Sequence, residues 1–118
     1  MSTSASSAVS TKHRFFVYAP DKTEEGTLAR RLSVRPQHLE GAKSGHESGF
    51  IRIGGMVTTP EAVTNPDAPK QMVGSTFIFE ADSLDEVKKA IESDIYYTAG
   101  VWDSEKIVIL PFFSAFPL

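Results

Sequence analysis

"GSTFIFEADSLDEVKKAIES", residues 74–93, contains a strand, a helix and the join between them. Its first part, 74–81, is aromatic and β-branched, the composition of a pleated, half-buried strand. Ser83 and Glu86, three apart, then form a capping box. Leu84, Val87 and Ile91 repeat at helical spacing behind it. Upstream, "FIRIGGMVT" (50–58) reads as another strand, with Gly54 and Gly55 marking a bulge or a close backbone approach. Before it, "TLARRLSV" (27–34) reads as a short helix, stopped because Pro36 pushes the residue ahead of it toward extended geometry. A new helix is expected to open at Pro36, since proline suits the first helical turn. Gly41 and Gly45 on it, four apart, leave a smooth strip where another backbone can approach. "HRFFVYA" (13–19) is the first strand, ended by Pro20. Downstream, "DIYYTAG" leaves the capped helix and turns at Gly100, and "EKIVILPFF" (105–113) is the last strand.

The order is β-α-β-β-α-β, which specifies an α+β ferredoxin-like sandwich, an antiparallel four-stranded sheet with both helices on one face. In the first strand Phe15 and Val17 point one way, Phe16 and Tyr18 the other. "IVIL" in the last strand is apolar on both faces. Helices cover one face only, so the second face needs another cover, and in so short a chain a second copy is the expected one. The expected partner is therefore an identical subunit, giving a homodimer with sheets face to face.

At 118 residues the chain holds one domain, expected over 13–118, behind a Ser/Thr-rich tail over 1–12 that reads as disordered. The tail resembles an organelle transit peptide in composition but lacks its arginines, and it has no apolar core of a secretory signal. A cytoplasmic protein is the expectation. There is no cysteine, so disulfides, thiolate catalysis and cysteine-ligated metals are excluded. The formal charge of −3 and scattered cations speak against a nucleic-acid partner. No apolar run approaches the roughly 20 residues of a membrane span. The segment "TPEAVTNPDAPKQ" (59–71), with three prolines, reads as a loop without periodicity.

No phosphate loop, dinucleotide fingerprint or paired-histidine zinc motif occurs, and no cofactor or metal is expected. His46 and Glu47 are adjacent, and adjacent residues on a helix do not face each other. Chemistry falls to single polar residues in costly places. Asp94 continues the stripe Leu84–Val87–Ile91 near a helix C-terminus, where the dipole disfavours negative charge. It either lines a pocket as a base or orienter, or bonds the turn backbone. His38, third in a helix opening at Pro36, faces the positive end of the dipole, which favours neutral imidazole. A nearby carboxylate would fix its tautomer; otherwise it is a half-exposed helix-start residue. Ser75 follows Gly74 at a strand start and could point into the same cleft. Arg35 suits an anionic group, or is a solvated or helix-pairing charge. Tyr96 and Trp102 line an apolar pocket or belong to the core.

"RLSVRPQHLEG", "IRIGGMV", "GSTFIFEADSLDEV" and "ESDIYYTAGVW", in this order, resemble the YciI-like (YCII-related) family over about residues 13–112. The resemblance implies a ferredoxin-like fold of the dimeric α+β barrel type. It implies a histidine–aspartate centred site, the histidine of "R-P-x-H-L" falling on His38, the aspartate on Asp94 and the serine of "G-S" on Ser75. Ile95 stands where the family has a proline after the aspartate, and Glu47 where it has a second acid. One branch resembles dehydrochlorinases of chlorinated hydroxyquinols; related barrels include lactone isomerases and monooxygenases. The implied chemistry is cofactor-free proton transfer on a small aromatic or enolisable molecule, of a lyase or isomerase kind. His38 is then base or acid, Asp94 its orienter, Ser75 a donor to substrate, Arg35 an anion clamp, with Tyr96 and Trp102 against the substrate. The alternative is a non-catalytic ligand-binding or interaction dimer that keeps the pocket. An RNA-recognition module on the same element order fails, because the aromatic recognition strands and basic balance are missing.

Overall fold

The computed structural model describes residues 12–65, 67 and 71–118. The expected tail over 1–12 lies outside the described residues except for Lys12, as do Pro66 and Pro69 of the loop. Four strands, β1 (His13–Pro20), β2 (Ile51–Thr58), β3 (Met72–Ala81) and β4 (Val108–Phe112), form one antiparallel sheet in the order β2-β3-β1-β4. Helices α1 (Thr27–Glu47) and α3 (Leu84–Ser93) link β1 to β2 and β3 to β4. This is the ferredoxin-like α+β arrangement. Two single turns of helix, α2 (Glu61–Thr64) and α4 (Ile95–Thr98), and a 3-10 turn over Ser104–Lys106 complete it.

Alternation along the strands sets the core. Phe15, Val17 and Ala19 of β1 and Phe77, Phe79 and Ala81 of β3 are buried, and they cluster with Val87 and Ile91 of α3. The register pairs Phe15 with Phe79 and Val17 with Phe77, so both central strands offer the same face to the helices. Ser83 caps α3 by accepting from the Glu86 amide at 3.2 Å, and the Glu86 carboxylate accepts from the Asp82 amide at 2.9 Å. Leu84, expected on the apolar stripe, stays 42 % exposed because it occupies the first position of the helix, short of the sheet.

Three local expectations are corrected. The helix before β2 is not two pieces: α1 runs unbroken for 21 residues with Pro36 inside it. Proline there removes the hydrogen bond to the Leu32 carbonyl. Both Leu32 and Pro36 are exposed, so water can take that carbonyl, while the buried Arg31 and His38 anchor the helix on either side. The segment 59–71 is not featureless, since Pro60 opens α2 and the Thr59 amide donates to the Gln71 carbonyl at 3.1 Å. The last strand starts at Val108 rather than 105, because the Asp103 carboxylate accepts from the Glu105 amide and curls 104–106 into the 3-10 turn.

The glycine expectations hold only in part. A Cβ on Gly45 would meet the Ile51 side chain at 2.8 Å, a side-chain contact and not a backbone one, and one on Gly41 would meet nothing within 4 Å. In β2 the register shifts between Ile51 and Ile53, a bulge just before the glycine pair.

Candidate active site

The helix α1 turns a polar side to the sheet. Its buried residues are Thr27, Arg31 and His38. Arg31, Arg35, His38 and Ala42 are spaced by four, three and four, and all four border one cavity of about 790 Å³ between α1, β2 and β3. Because α1 begins at Thr27, His38 lies mid-helix, and the helix-start dipole argument for it does not apply.

A carboxylate orients His38 instead. Its Nδ1 lies 2.9 Å and 3.0 Å from the two oxygens of Asp94. A carboxylate can only accept, so that bond places a proton on Nδ1, and in the neutral imidazole the lone pair is then on Nε2. Nε2 has no partner among the described residues, and His38 borders the cavity. The ring is stacked on Tyr96, with centroids 3.9 Å apart and planes 15° apart, which fixes its orientation.

Asp94 serves two bonds at once. It ends α3 and caps α4, accepting from the Tyr96 amide at 2.9 Å with the same Oδ1 that faces His38. Asp94 thus makes the turn-backbone bond and the contact with His38 with one carboxylate. Ile95 occupies the first position of α4, where proline is also favoured, so its replacement of the family's proline leaves the capped turn intact.

Ser75 is buried on β3 and borders the cavity. Its oxygen accepts from Arg31 Nη2 at 3.0 Å and from Trp102 Nε1 at 3.2 Å. Trp102 is 1 % exposed and stands behind Ser75, not against the cavity, so the structure places it in the core. Tyr96 borders the cavity directly. Its phenol is pushed above 10.0 by burial, against the opposing charges of Arg31 and Arg35. His46 borders the cavity too, and its Nδ1–H reaches the Ile51 carbonyl at 3.1 Å, while Glu47 is exposed. Among the described residues no three metal-ligating side chains cluster.

Sequence reasoning missed Arg31 and Asp21. Arg31 is 2 % exposed, donates to Asp21 Oδ1 at 2.7 Å and lies 4.5 Å over the Tyr96 ring. Asp21 sits just past β1, held by its amide on the Val73 carbonyl and bridged to Trp102. Burial raises its pKa above 3.8, and the charge and hydrogen bond of Arg31 offset this only in part. The signal was the spacing 31, 35, 38, but it appears only when the helix runs through Pro36.

Charge in the cavity is one-sided. Arg31, Arg35, Lys43 and Arg52 border it, and among the described residues no acidic side chain does. Asp21 balances Arg31, and Glu80 balances Arg52 at 2.9 Å. Arg35 and Lys43 have no ion pair among the described residues. The remaining walls, such as Ile51, Met56 and Phe77, are apolar. The arrangement suits an apolar body with an electron-rich group, beside the His38 ring that Asp94 orients. No described helix is long and apolar enough to cross a membrane.

Comparison with known proteins agrees with this architecture. Protein YciI of Escherichia coli O6:H1 is 33% identical over 102 residues, covering 86% of this chain and 98% of that protein. Fusaric acid biosynthesis protein 2 of Gibberella fujikuroi is 28% identical over 98 residues, 83% of this chain and 90% of that one. A solved structure of the 5-chloro-2-hydroxyhydroquinone dehydrochlorinase of Burkholderia phenoliruptrix AC1100, in complex with 2,5-dihydroxybenzoquinone, superposes with a TM-score of 0.71 at 25% identity, covering 86% of this chain and 95% of that one. The YCII-related domain profile matches residues 14–112, nearly the whole described fold, and the chain belongs to the YCII-related domain family.

Proposed function

We propose that the chain is a small-molecule enzyme performing cofactor-free acid/base chemistry of a lyase or isomerase kind, with His38 and Asp94 as its centre. One observation carries this reading. His38 Nδ1 is tied to both Asp94 oxygens, while the opposite ring nitrogen is left unpartnered on a residue that borders a mostly apolar cavity. That is the arrangement of a general base with its orienter. The substrate's acidic O–H or C–H gives its proton to Nε2, and Asp94 stabilises the imidazolium. In an elimination the freed electron pair forms the new double bond and the leaving group departs with its own pair. In an isomerisation the proton returns at a neighbouring atom. Arg35 holds an anionic or electron-rich group of the substrate, and Tyr96 stacks beneath the histidine. The dehydrochlorinase and the fungal biosynthesis relative support a small-molecule substrate. The enzyme acts as a homodimer.

The test is turnover of a panel of chlorinated hydroxyquinols, including 5-chloro-2-hydroxyhydroquinone, followed by chloride release, together with small enolisable lactones. His38→Ala is expected to lower the rate on any substrate found by about 10²–10⁴, the usual contribution of a positioned acid or base. An unchanged rate in His38→Ala would remove the histidine from the mechanism. Panel members that bind wild type without turnover would favour the ligand-binding dimer instead.

A further inference from the structure

Ser75 is 1 % exposed, and its hydroxyl has one proton to give and two lone pairs to receive. Both receiving positions are taken by groups that can only donate, the Arg31 guanidinium at 3.0 Å and the Trp102 indole at 3.2 Å. Its own proton has no acceptor among the described residues. Asp21, the one buried carboxylate among the described residues, does not take it, since its Oδ2 is itself without a partner. The cavity that Ser75 borders is the direction left to that proton.

The two donors cannot easily move. Arg31 is clamped between Asp21 at 2.7 Å and the Tyr96 face at 4.5 Å. Trp102 is locked by backbone bonds on either side, from the Lys22 amide to the Val101 carbonyl at 2.8 Å and from the Asp103 amide to the Pro20 carbonyl at 2.8 Å. We infer that Arg31 and Trp102 are positioning residues that make Ser75 a one-way hydrogen-bond donor into the cavity. The ligand atom it meets must be an acceptor, such as a carbonyl, carboxylate or phenolate oxygen.

This deepens the proposed function and rests on the cavity being its ligand site. His38 Nε2 accepts and Ser75 donates, so the site is polarised from end to end. Its ligand carries an acidic proton at one position and an accepting oxygen at another. Ketones with an acidic α-hydrogen and hydroxyquinones have both. A group that can only donate, such as an ammonium, is rejected there, because donor would face donor.

The probe is 2,5-dihydroxybenzoquinone, titrated calorimetrically into wild type, Ser75→Ala, Trp102→Phe and the double variant. Each single change is expected to weaken binding about five- to tenfold, the worth of one hydrogen bond. The double variant should bind no more weakly than Ser75→Ala alone, because Trp102 acts through the serine. Losses that multiply would make Trp102 a packing residue and overturn the inference, as would unchanged binding by Ser75→Ala. The chain has a single tryptophan, so its indole N–H gives one resonance that needs no variant. That signal should move when the probe saturates wild type; a fixed signal overturns the inference even if Trp102→Phe fails to fold. Wild type that ignores the probe at millimolar concentration overturns the ligand class. Probe binding without turnover of any substrate instead sinks the proposed function and leaves Ser75 as inferred.

Discussion

Two carboxylates with opposite electrostatics show how single residues here divide between position and stability. Asp21 has a raised pKa, because burial outweighs the help from Arg31. The native state therefore holds its proton at pH values where the unfolded chain has released it. Stability from this group is greatest below 3.8 and declines as pH rises through the folded value. Asp21→Asn should remove that decline, which unfolding free energies of both proteins at pH 4 to 6 would reveal; an identical slope would refute it. Glu80 behaves in reverse. Burial opposes its charge, but hydrogen bonds and charges from Arg14 and Arg52 together hold it below 4.5. Its contribution is present above 4.5 and fades as pH falls through the lower folded value. Glu80→Gln is expected to cost about 0.5–1 kcal/mol at pH 7, in keeping with a partly exposed pair, and less in acid. Urea unfolding at pH 7 and pH 3 checks the sign. Asp94 matters through two bonds made by one group. Asp94→Asn can keep the cap on Tyr96 while losing the charge opposite His38. Turnover should fall by about 10² or more with the fold retained; retained turnover would show that the pair is structural.

At the level of elements, the strands and α3 were legible because burial wrote them into the sequence. β1 alternates, β3 carries Phe77 and Phe79 inward, and α3 has its cap and its Val87–Ile91 stripe. The helix α1 was not legible as one piece. It faces a cavity, so its inward side carries Arg31, Arg35 and His38 where an ordinary helix carries leucines, and Leu28 and Leu32 are exposed instead. Apolar periodicity cannot detect such a helix, and Pro36 supplied a plausible false boundary. His38, Asp94 and Ser75 were candidates through the family resemblance, whereas Arg31 and Asp21 needed the unbroken helix to bring them together. The same helix carries two glycines with different surroundings. Gly41→Ala gains helix propensity in open space and should stabilise by about 1 kcal/mol. At Gly45 the new methyl meets the Ile51 side chain, which must rotate away, so Gly45→Ala should gain less. Equal unfolding midpoints for the two variants would contradict the close approach at Gly45.

For the whole molecule, the sheet has one covered face and one bare one. Opposite the helices, β1 presents Phe16 and Tyr18, β3 presents Ile78, and β4 presents Val108, Leu110 and Phe112, in register across the strands. Leu110 remains 56 % exposed and Val108 38 %. A contiguous apolar sheet face of this kind is a place for protein to pack, and a twofold pairing of identical faces satisfies it with one surface. We propose that a second copy is the cover, so the chain should run at twice its 12.9 kDa mass in light scattering at micromolar concentration. Leu110→Lys places a charge in the middle of that face and should yield a monomer. In wild type the unfolding temperature should rise with protein concentration, because association stabilises only the folded state. In Leu110→Lys it should not. The cavity lies on the opposite side of the sheet, against α1, so the monomeric variant should still bind 2,5-dihydroxybenzoquinone if each chain builds its own site. Binding that disappears with the dimer would instead mean that the second copy helps to hold β2 and β3 in the shape the cavity needs.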